Sequence, residues 1–239
     1  MDMKRIKFLP AAAWLLLATF AFALPASAQW SVNLHGGFDV NALTRSSFYT
    51  SQTYEDRAGF SVGLSSTYMF KEWLGLRFGA DILQKNYRTV YNNAEMLQYG
   101  CNEDFKNTWL QIPVMADFCI SPAKWRIHFL GGVYGGYWLS SRESGLINHV
   151  GLDPDVDQTV DVASFENEKA AFNAERDNRL CFGVLGGLSI GRMLSEHWSI
   201  NLEALYYYDL TSLTKDYMSF KDPRYNNTLD FHFGVSYKF

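Results

Sequence analysis

Hydrophobic and polar residues alternate strictly through the last part of the chain, residues 227–239. Successive side chains of a β-strand point to opposite faces, so the alternation predicts a strand with one apolar and one polar face. Whether protein or lipid covers the apolar face depends on the rest of the chain. The apolar positions are mostly aromatic: Leu229, Phe231, Phe233, Val235, Tyr237 and Phe239.

Seven further segments alternate in the same way, which predicts eight strands in an all-β fold. Leu185 alone breaks the alternation within its segment. The polar face of the strands carries charges and the other face forms an aliphatic and aromatic band, with no further layer of structure predicted to cover it. The seven segments are residues 30–40, 60–70, 74–82, 110–120, 125–139, 182–190 and 198–208.

The connections between these strands are alternately short and long. This order is typical of an eight-stranded antiparallel up-and-down transmembrane β-barrel, with short periplasmic turns and long extracellular loops. A lipocalin also has eight strands, but its outer face would be mostly polar. The short turns are residues 71–73, 121–124 and 195–197, and the long stretches are residues 41–57, 89–104, 140–179 and 211–226.

Aromatic residues cluster near both ends of the predicted strands. Membrane interfaces favour such girdles, whereas aromatics scattered through a core would not cluster at two levels. The inner set lies at the short-turn ends of the strands and contains Trp30, Phe70, Trp73, Trp125, Trp198, Tyr237 and Phe239. The outer set lies toward the long connections and contains Tyr137, Trp138 and Tyr206 to Tyr208.

The beginning of the chain has the layout of a secretory signal peptide. Basic residues Lys4, Arg5 and Lys7 precede an apolar run at 11–24, and small residues at 25–28 offer a cleavage site. We expect residues 1–28 to be the signal peptide and residues 29–239 to be the barrel domain. An N-terminal membrane anchor is the alternative, but the apolar run is short for a bilayer span.

Composition narrows the classes of partner. The net charge of −4 gives no reason to expect a nucleic-acid partner. Three cysteines, Cys101, Cys119 and Cys181, have no short paired spacing, so we expect three free thiols or one chance pair rather than a disulfide framework. No CxxC motif favours a metal site.

Two glycine-rich segments and one proline carry a family resemblance. Residues 109–118 contain Leu110-Gln-Ile-Pro113 inside a strand, and the next strand contains the glycine-rich run at 131–136. With residues 182–187, these segments resemble the PorT-family outer-membrane β-barrel domain of Bacteroidota. The resemblance covers essentially all of the mature chain and implies an eight-stranded barrel, and one namesake of the family is involved in protein secretion. Pro113 lies in the middle of a strand, which predicts a bulge.

The polar face of the strands should form the barrel interior. An eight-stranded barrel is just wide enough for side chains to fill, so we expect a paired polar plug. A narrow ion or proton path is the alternative. The residues predicted to point inward are His35, Asp39, Arg77, Asp81, Asp117, Arg126, His128, Glu203, Asp209, Asp230, His232 and Lys238.

Two polar sets are candidate parts of a hydrolase. A hydrolase needs a nucleophile, a base and an orienting acid that converge in space. Neither set has a spacing that forces convergence, so we assign no catalytic, cofactor-binding or metal-binding residue and expect no enzymatic activity. The sets are Ser140, Ser141, Glu143 and His149, and Ser195, Glu196 and His197.

The long stretch 140–179 is acidic and contains alternate aspartates. Gln158 stands where an EF-hand requires Gly, and Ser164 where it requires Glu, so a solvated acidic loop is favoured over a calcium site. Residues 166–177 favour a short helix by composition. A loop this long is usually functional or disordered, which favours docking of a partner. Its acidic residues are Asp153, Asp155, Asp157, Asp161, Glu166 and Glu168.

The sequence therefore predicts a Gram-negative outer-membrane barrel with a structural or accessory role in the envelope, such as a part of a secretion or transport assembly. Expected partners are outer-membrane lipid, lipopolysaccharide and an envelope protein. The barrel assembly machinery is expected to recognise the C-terminal strand ending in Phe239. A membrane-embedded lipid or peptide hydrolase is the first alternative, and a narrow channel is the second.

Overall fold

The computed structural model describes residues 29–45, 52–91, 101–153, 156–215 and 223–239. The predicted signal peptide, residues 1–28, lies outside these ranges. No helix among the described residues is long and apolar enough to span a membrane. The described residues form ten strands: β1 Gln29–Arg45, β2 Gln52–Lys71, β3 Leu74–Gln84, β4 Tyr87–Tyr91, β5 Asn102–Ile120, β6 Trp125–Asp153, β7 Val156–Lys169, β8 Leu180–Met193, β9 Trp198–Asp209 and β10 Arg224–Lys238.

Antiparallel pairing joins nine of these strands into a closed ring. β1 pairs with β2 on one side and with β10 on the other, and β10 continues through β9 and β8 to β6. β6 pairs with β5, and β5 pairs with both β3 and β4, which also pair with β2. Since β3 and β4 occupy one position in the ring, the predicted eight-stranded antiparallel barrel is confirmed. Closure leaves no open edge in the ring.

A break at Lys85 and Asn86 separates β3 from β4. The backbone N–H of Lys85 donates to the Asn107 carbonyl at 2.9 Å, and the Asn107 amide donates back to the Lys85 carbonyl at 3.0 Å. The Asn86 amide donates to the carbonyl of Ala58 at 2.9 Å. These bonds replace the interrupted ladder, so Lys85, Asn86 and Tyr87 can all be buried in succession.

Strands extend well beyond the outward apolar band at the end with the long connections, here called the outer end. The ladder between β1 and β10 reaches Arg45 and Arg224, and β4 pairs with β5 at residues that were predicted to be loop. The long stretches at 41–57, 89–104 and 211–226 were therefore predicted too long. At the outer end, neighbouring strands continue to hydrogen-bond to each other, but their sequences no longer alternate between apolar and polar residues. The strands therefore cannot be recognised there from sequence alone.

The acidic stretch 140–179 is mainly a β-hairpin rather than a loop. β6 continues to Asp153 and pairs with β7, which runs back from Val156 to Lys169. The predicted helix at 166–177 is wrong, because residues 166–169 belong to β7 and residues 170–177 are irregular and turn structure. Pairing with β6 outweighs the weak helical preference of this composition. Positions 157 and 161 lie on an extended strand, and Asp155 and the side chains of 147–162 lie outside the described residues.

The outward face of the barrel is a continuous apolar band. Its upper limit passes through Val40, Ile82, Leu139, Leu180 and Leu210, and its lower residues include Trp125, Trp198 and Phe239. Side chains above that limit lie outside the membrane-spanning segments. Two members of the predicted outer girdle, Trp138 and Tyr207, instead point into the barrel and are buried. The period of two along each strand sends them to the face opposite Tyr137 and Tyr208.

Pro113 lies in a regular part of β5 and not at a bulge. It pairs with Tyr134 of β6 in unbroken register, and the register shift of that ladder falls instead between Thr108 and Trp109. In the ladder between β5 and β3, paired positions are missing only at Gly79 and Ala80 of β3. Pro113 of β5 lies opposite this gap and has no N–H to donate. A Cβ on Gly79 would lie 3.4 Å from the proline ring, so glycine leaves room for it. The predicted bulge at Pro113 is therefore wrong.

Candidate functional site

The lower half of the barrel is filled by a network of ion pairs. Arg77 donates to Glu203 at 2.6 Å and to Asp117 at 2.9 Å, and the three side chains are almost completely buried. Asp117 also contacts the Nδ1 of His128 at 2.7 Å. A guanidinium presents several donors in a fixed fork, so one arginine can donate to two carboxylates at once.

Two buried histidines extend this network toward the middle of the barrel. His35 contacts Asp81 at 3.0 Å, and His232 contacts Asp230 at 2.8 Å. The Ser61 hydroxyl donates to Asp230 at 2.7 Å and lies 3.0 Å from His232. Together with the Arg77 cluster, this arrangement matches the paired polar plug that the alternating polar face predicted. Buried charges require such pairing.

A second ion pair closes the upper half of the barrel. Lys85 Nζ lies 2.9 Å from Asp209 Oδ1, and both side chains are fully buried. The Tyr134 hydroxyl donates to the same carboxylate. The ammonium group also lies 5.2 Å from the centre of the Trp109 ring. Sequence reasoning missed Lys85 because this residue lies in the break after β3, beyond the predicted alternating segment. The residues next to it, such as Gln84, do not continue the alternation of apolar and polar positions.

Stacked aromatic rings lie directly above this ion pair. Trp109 and Trp138 stack with ring centres 5.3 Å apart, and Tyr87 and Phe105 stack at 4.8 Å. Trp109 is fully buried. The register shift at Trp109 brings the two indoles opposite each other across β5 and β6. Buried aromatic and charged side chains therefore meet across the bore.

Above the stacked rings the barrel opens into a cavity of about 300 Å³, here called the outer vestibule. Strands β2, β4, β5 and β6 form most of its wall, and residues 170–177 and 213–214 complete the rim. It lies at the outer end, above the membrane-spanning segments. Its lining combines aromatic rings, two glutamates and two arginines: Tyr54, Tyr87, Tyr91, Glu103, Phe105, Trp138, Glu143, Phe172, Arg176 and Arg224.

Charge in the outer vestibule is unevenly neutralised. Arg176 pairs with Asp177 at 2.7 Å, whereas Glu103 accepts a hydrogen bond from the Tyr91 hydroxyl at 2.8 Å. Within the described part of the chain, neither Glu103 nor Glu143 forms an ion pair. Burial and the nearby Glu103 carboxylate raise the pKa of Glu143, which Arg176 lowers in part. Burial and the Glu103 acceptor likewise raise the pKa of Tyr91.

The first set of residues considered for hydrolysis is divided by the structure. Ser141 and Glu143 line the outer vestibule, but Ser140 does not. The Ser140 carbonyl accepts a hydrogen bond from the Trp138 indole at 3.2 Å. The side chain of His149 lies outside the described residues. The described members of this set, Ser140, Ser141 and Glu143, are therefore not brought together as a nucleophile and base.

The second set forms a turn at the end with the short connections, here called the inner end. Ser195 Oγ accepts hydrogen bonds from the backbone N–H groups of His197 and Trp198. The His197 ring contacts the Lys238 carbonyl at 2.9 Å. Ser195 and His197 therefore stabilise the turn and the end of β10, and Glu196 is exposed.

The three cysteines are free thiols and all are buried. Cys119 Sγ lies 3.9 Å from His128 Nε2, and His128 in turn contacts Asp117. This order of thiol, imidazole and carboxylate resembles a nucleophilic relay. Cys119 is only 6% exposed and lines neither the outer vestibule nor the inner-end cavity described below. In the part of the chain that the structure describes, the thiol is therefore largely enclosed and faces neither of these two cavities. Among the described residues, no group of three or more His, Cys, Asp or Glu side chains is placed to hold a metal ion.

Several solved outer membrane proteins are similar to this chain, whereas comparison with the curated proteins gives no significant match. OprG of Pseudomonas aeruginosa has 14% identity, coverage of 87% of this chain and 95% of OprG, and a TM-score of 0.49. A major outer membrane protein of Thermus thermophilus has 14% identity, coverage of 89% and 100%, and a TM-score of 0.48. Ail of Yersinia pestis has 13% identity, coverage of 89% and 99%, and a TM-score of 0.41.

The family match rests on sequence. The profile of the family described as "Outer membrane protein beta-barrel domain" matches residues 22–215, which is most of the chain. The matched range includes every strand of the ring except β10. The chain therefore belongs to the outer membrane protein beta-barrel domain family and resides in the outer membrane.

Proposed function

We propose that this protein is a non-enzymatic envelope protein that captures a cationic group of an extracellular partner in the outer vestibule. The observation that carries the proposal is the closed floor of this cavity. The Lys85–Asp209 ion pair and the stacked Trp109 and Trp138 rings fill the bore beneath it. A cavity with a closed floor favours binding over passage of a solute.

The chemistry of the vestibule favours a ligand with a cation next to an apolar group. Glu103 and Glu143 offer carboxylates without a cationic partner among the described residues, and the aromatic walls offer ring faces. An ammonium or guanidinium group binds carboxylates by charge-assisted hydrogen bonds and binds ring faces by cation–π attraction. The volume of about 300 Å³ suits one or two side chains of a protein partner.

The projecting hairpin of β6 and β7 gives the partner a second surface. It rises beyond the ring, and β7 pairs only with β6 in the described part of the chain. Its exposed residues include Glu166 and Glu168, so its charge favours the same cationic partner. A secretion or transport assembly of the envelope is the setting that we propose for this contact.

We also propose that the chain is a PorT-type member of the outer membrane protein beta-barrel domain family. The Leu110-to-Pro113 motif and the glycine-rich run at 131–136 support a PorT-type barrel from a member of Bacteroidota. Such a protein would be exported by the signal peptide at 1–28, and β10 would be recognised by the barrel assembly machinery. Outer-membrane lipid and lipopolysaccharide would surround the apolar band.

The alternative functions have less support. A lipid or peptide hydrolase needs an accessible nucleophile and base, and the described side chains of the two polar sets, Ser140, Ser141, Glu143, Ser195, Glu196 and His197, do not bring such a pair together. The Cys119 thiol is enclosed. A narrow channel needs a continuous path, which fully buried Lys85 and Trp109 interrupt.

A peptide titration tests the proposal. The full chain in nanodiscs is titrated with a short apolar peptide carrying one central lysine, and with the same peptide acetylated at that lysine, which removes its charge. Trp138 lines the vestibule, so tryptophan emission reports binding. We expect the double variant Glu103→Gln/Glu143→Gln to bind the lysine peptide about tenfold more weakly.

The matched control is Glu72→Gln/Glu196→Gln. It makes the same change of net charge at exposed positions that do not line the vestibule, and it should retain wild-type affinity. Equal binding of the lysine and acetyl-lysine peptides, or no binding of either, would contradict the proposal.

A further inference from the structure

A second, smaller cavity opens at the inner end of the barrel. It has a volume of about 40 Å³ and lies between the Arg77 cluster and the ends of the strands. We call it the inner cup. The Arg77 cluster and the Lys85–Asp209 pair lie between it and the outer vestibule, and the two cavities share no described lining residue. The side chains on which its chemistry depends are Arg77, Arg126, His128, Asn201, Ser236 and Lys238.

The charged side chains that line the inner cup are all basic. Its other described lining residues are serine, threonine, asparagine and glycine, and none is acidic. The carboxylates of Asp117 and Glu203 lie behind the wall, where both are bound by Arg77. The cup therefore presents hydrogen-bond donors to whatever occupies it.

Two of the cations are not neutralised by any described residue. Arg126 and Lys238 form no ion pair among the described side chains, in contrast to Arg77 with its two carboxylates. An anion entering the cup would therefore meet two uncompensated positive charges. A partly enclosed position strengthens such attraction compared with open water.

The donors of the inner cup are held in place by neighbouring contacts. The Ser236 hydroxyl donates to the amide oxygen of Asn33 at 3.0 Å and lies 3.3 Å from that of Asn201, so it holds the two amides in place rather than serving as a free donor. Two contacts with His197 fix the backbone of Lys238. The Lys238 N–H donates to the His197 carbonyl at 2.8 Å, and the His197 ring contacts the Lys238 carbonyl. Gly234 makes room for the two amides, because a Cβ there would lie 2.6 Å from Asn33 Oδ1.

From this geometry we infer that the inner cup binds one oxyanion group, a phosphate, presented from the periplasm. A single water needs roughly 10–15 Å³ by a comparable measure, so the cup has room for a few oxygen atoms and not for a whole metabolite. Arginine and lysine side chains, here Arg126 and Lys238, are donors that commonly bind phosphate oxygens. The phosphate is either free in the periplasm or part of a lipid headgroup in the inner leaflet of the outer membrane.

Calorimetry with inorganic phosphate tests the inference directly. The full chain is reconstituted in phosphatidylcholine nanodiscs, and phosphate is titrated at constant ionic strength against a chloride control. The double variant Arg126→Gln/Lys238→Gln should lose affinity about tenfold or more, because each removed charge weakens a charge-assisted contact. Neither residue has an ion-pair partner among the described residues. Removing both charges therefore leaves no buried carboxylate without its partner.

Arg192→Gln/Lys71→Gln is the matched control. These two cations lie on the exposed side of the barrel at the same inner end, and neither lines the cup. The control should keep wild-type phosphate affinity. Retention of the folded, heat-modifiable band on gels verifies that both double variants are intact.

The source of the phosphate is resolved by lipid composition. The phosphate titration is repeated in nanodiscs that contain phosphatidylglycerol. If the headgroup competes and phosphate binds the wild type more weakly there, a lipid headgroup is the natural occupant. Unchanged phosphate affinity in those nanodiscs identifies a soluble phosphate. Absence of phosphate binding, or equal binding by the wild type and Arg126→Gln/Lys238→Gln, overturns the inference.

Discussion

Lys85 and Asp209 form a salt bridge of 2.9 Å across the barrel, and neither side chain is exposed to solvent. The Asp209 carboxylate also accepts a hydrogen bond from Tyr134, and the Lys85 ammonium lies against the rings of Trp109 and Tyr134. This pair lies beneath the stacked rings that form the floor of the outer vestibule, and it is the upper part of the plug. Removal of one partner leaves the other charge buried without compensation, and that is far costlier than removal of both.

The first prediction concerns this pair. Lys85→Met should lower the free energy of unfolding by about 3–5 kcal/mol, because Asp209 then keeps a buried charge without its partner. Asp209→Leu should have a similar effect for the opposite reason. Urea unfolding in lipid vesicles, followed by tryptophan emission, measures both changes.

The double variant Lys85→Met/Asp209→Leu is the decisive control for this pair. It should be more stable than either single variant, since no unpaired charge remains. Losses that simply add in the double variant would mean that the two residues do not interact as the structure places them.

The second prediction concerns the forked contact of Arg77. Arg77→Lys keeps the charge but cannot donate to Asp117 and Glu203 in the same planar geometry. We expect a loss of about 1–3 kcal/mol in the free energy of unfolding. The same change at outward Arg192, which lies over the Trp125 ring, should cost less than about 0.5 kcal/mol. Equal effects at the two positions would contradict the buried network.

The third prediction concerns the pH dependence of an ion pair at the outer end. Arg88 donates to Asp104 at 2.8 Å, and this bond lowers the pKa of Asp104 from its ordinary value of 3.8. Both side chains are about a third exposed, so the pair should contribute only about 0.5–1 kcal/mol at neutral pH. The contribution is present above the ordinary pKa and is lost as pH falls through the lowered one.

Asp104→Asn tests that sign. The difference in unfolding free energy between wild type and variant should be largest at neutral pH and should shrink below pH 3.8. A difference that grows on acidification would show that the carboxylate is not held ionised by Arg88.

The fourth prediction concerns the pH dependence of capture in the outer vestibule. The pKa of Glu143 is raised, so this carboxyl becomes protonated at a higher pH than an ordinary glutamate. Binding of the lysine peptide should therefore weaken on mild acidification, as the carboxylate loses its charge. Glu143→Gln should bind more weakly at neutral pH and lose this part of the pH dependence, and an unchanged pH profile would exclude Glu143 from the site.

Alternation along the strands allowed the ring, its orientation and most of its inward charges to be predicted from sequence. Asp81, Asp117, Glu203 and Asp230 lie on strands whose outward neighbours are plainly apolar, so parity alone places them inside. The same rule would have placed Trp138 and Tyr207 inside. They were predicted to lie outside because aromatic clustering at a strand end was given more weight than parity.

The outer vestibule was not predictable in the same way. Its wall is built largely from β4 and the outer parts of β2, β5 and β6, where the alternating apolar pattern of the membrane-spanning segments does not continue. The break at Lys85 depends on the Asn107 side chain of another strand, which no local pattern reveals. Sequence periodicity reports only what one face of a strand contacts, whereas a break or a stacked pair such as Trp109 and Trp138 depends on register between strands.

A closed bore beneath the outer vestibule is the central claim, and a planar-bilayer recording of the purified, folded protein tests it most directly. The buried Lys85–Asp209 pair and the stacked tryptophans should prevent a steady current in the wild type. Trp109→Ala/Lys85→Ala, if it remains folded by the gel-shift criterion, should show brief openings. Steady, large unitary conductance from the wild-type monomer would contradict the claim.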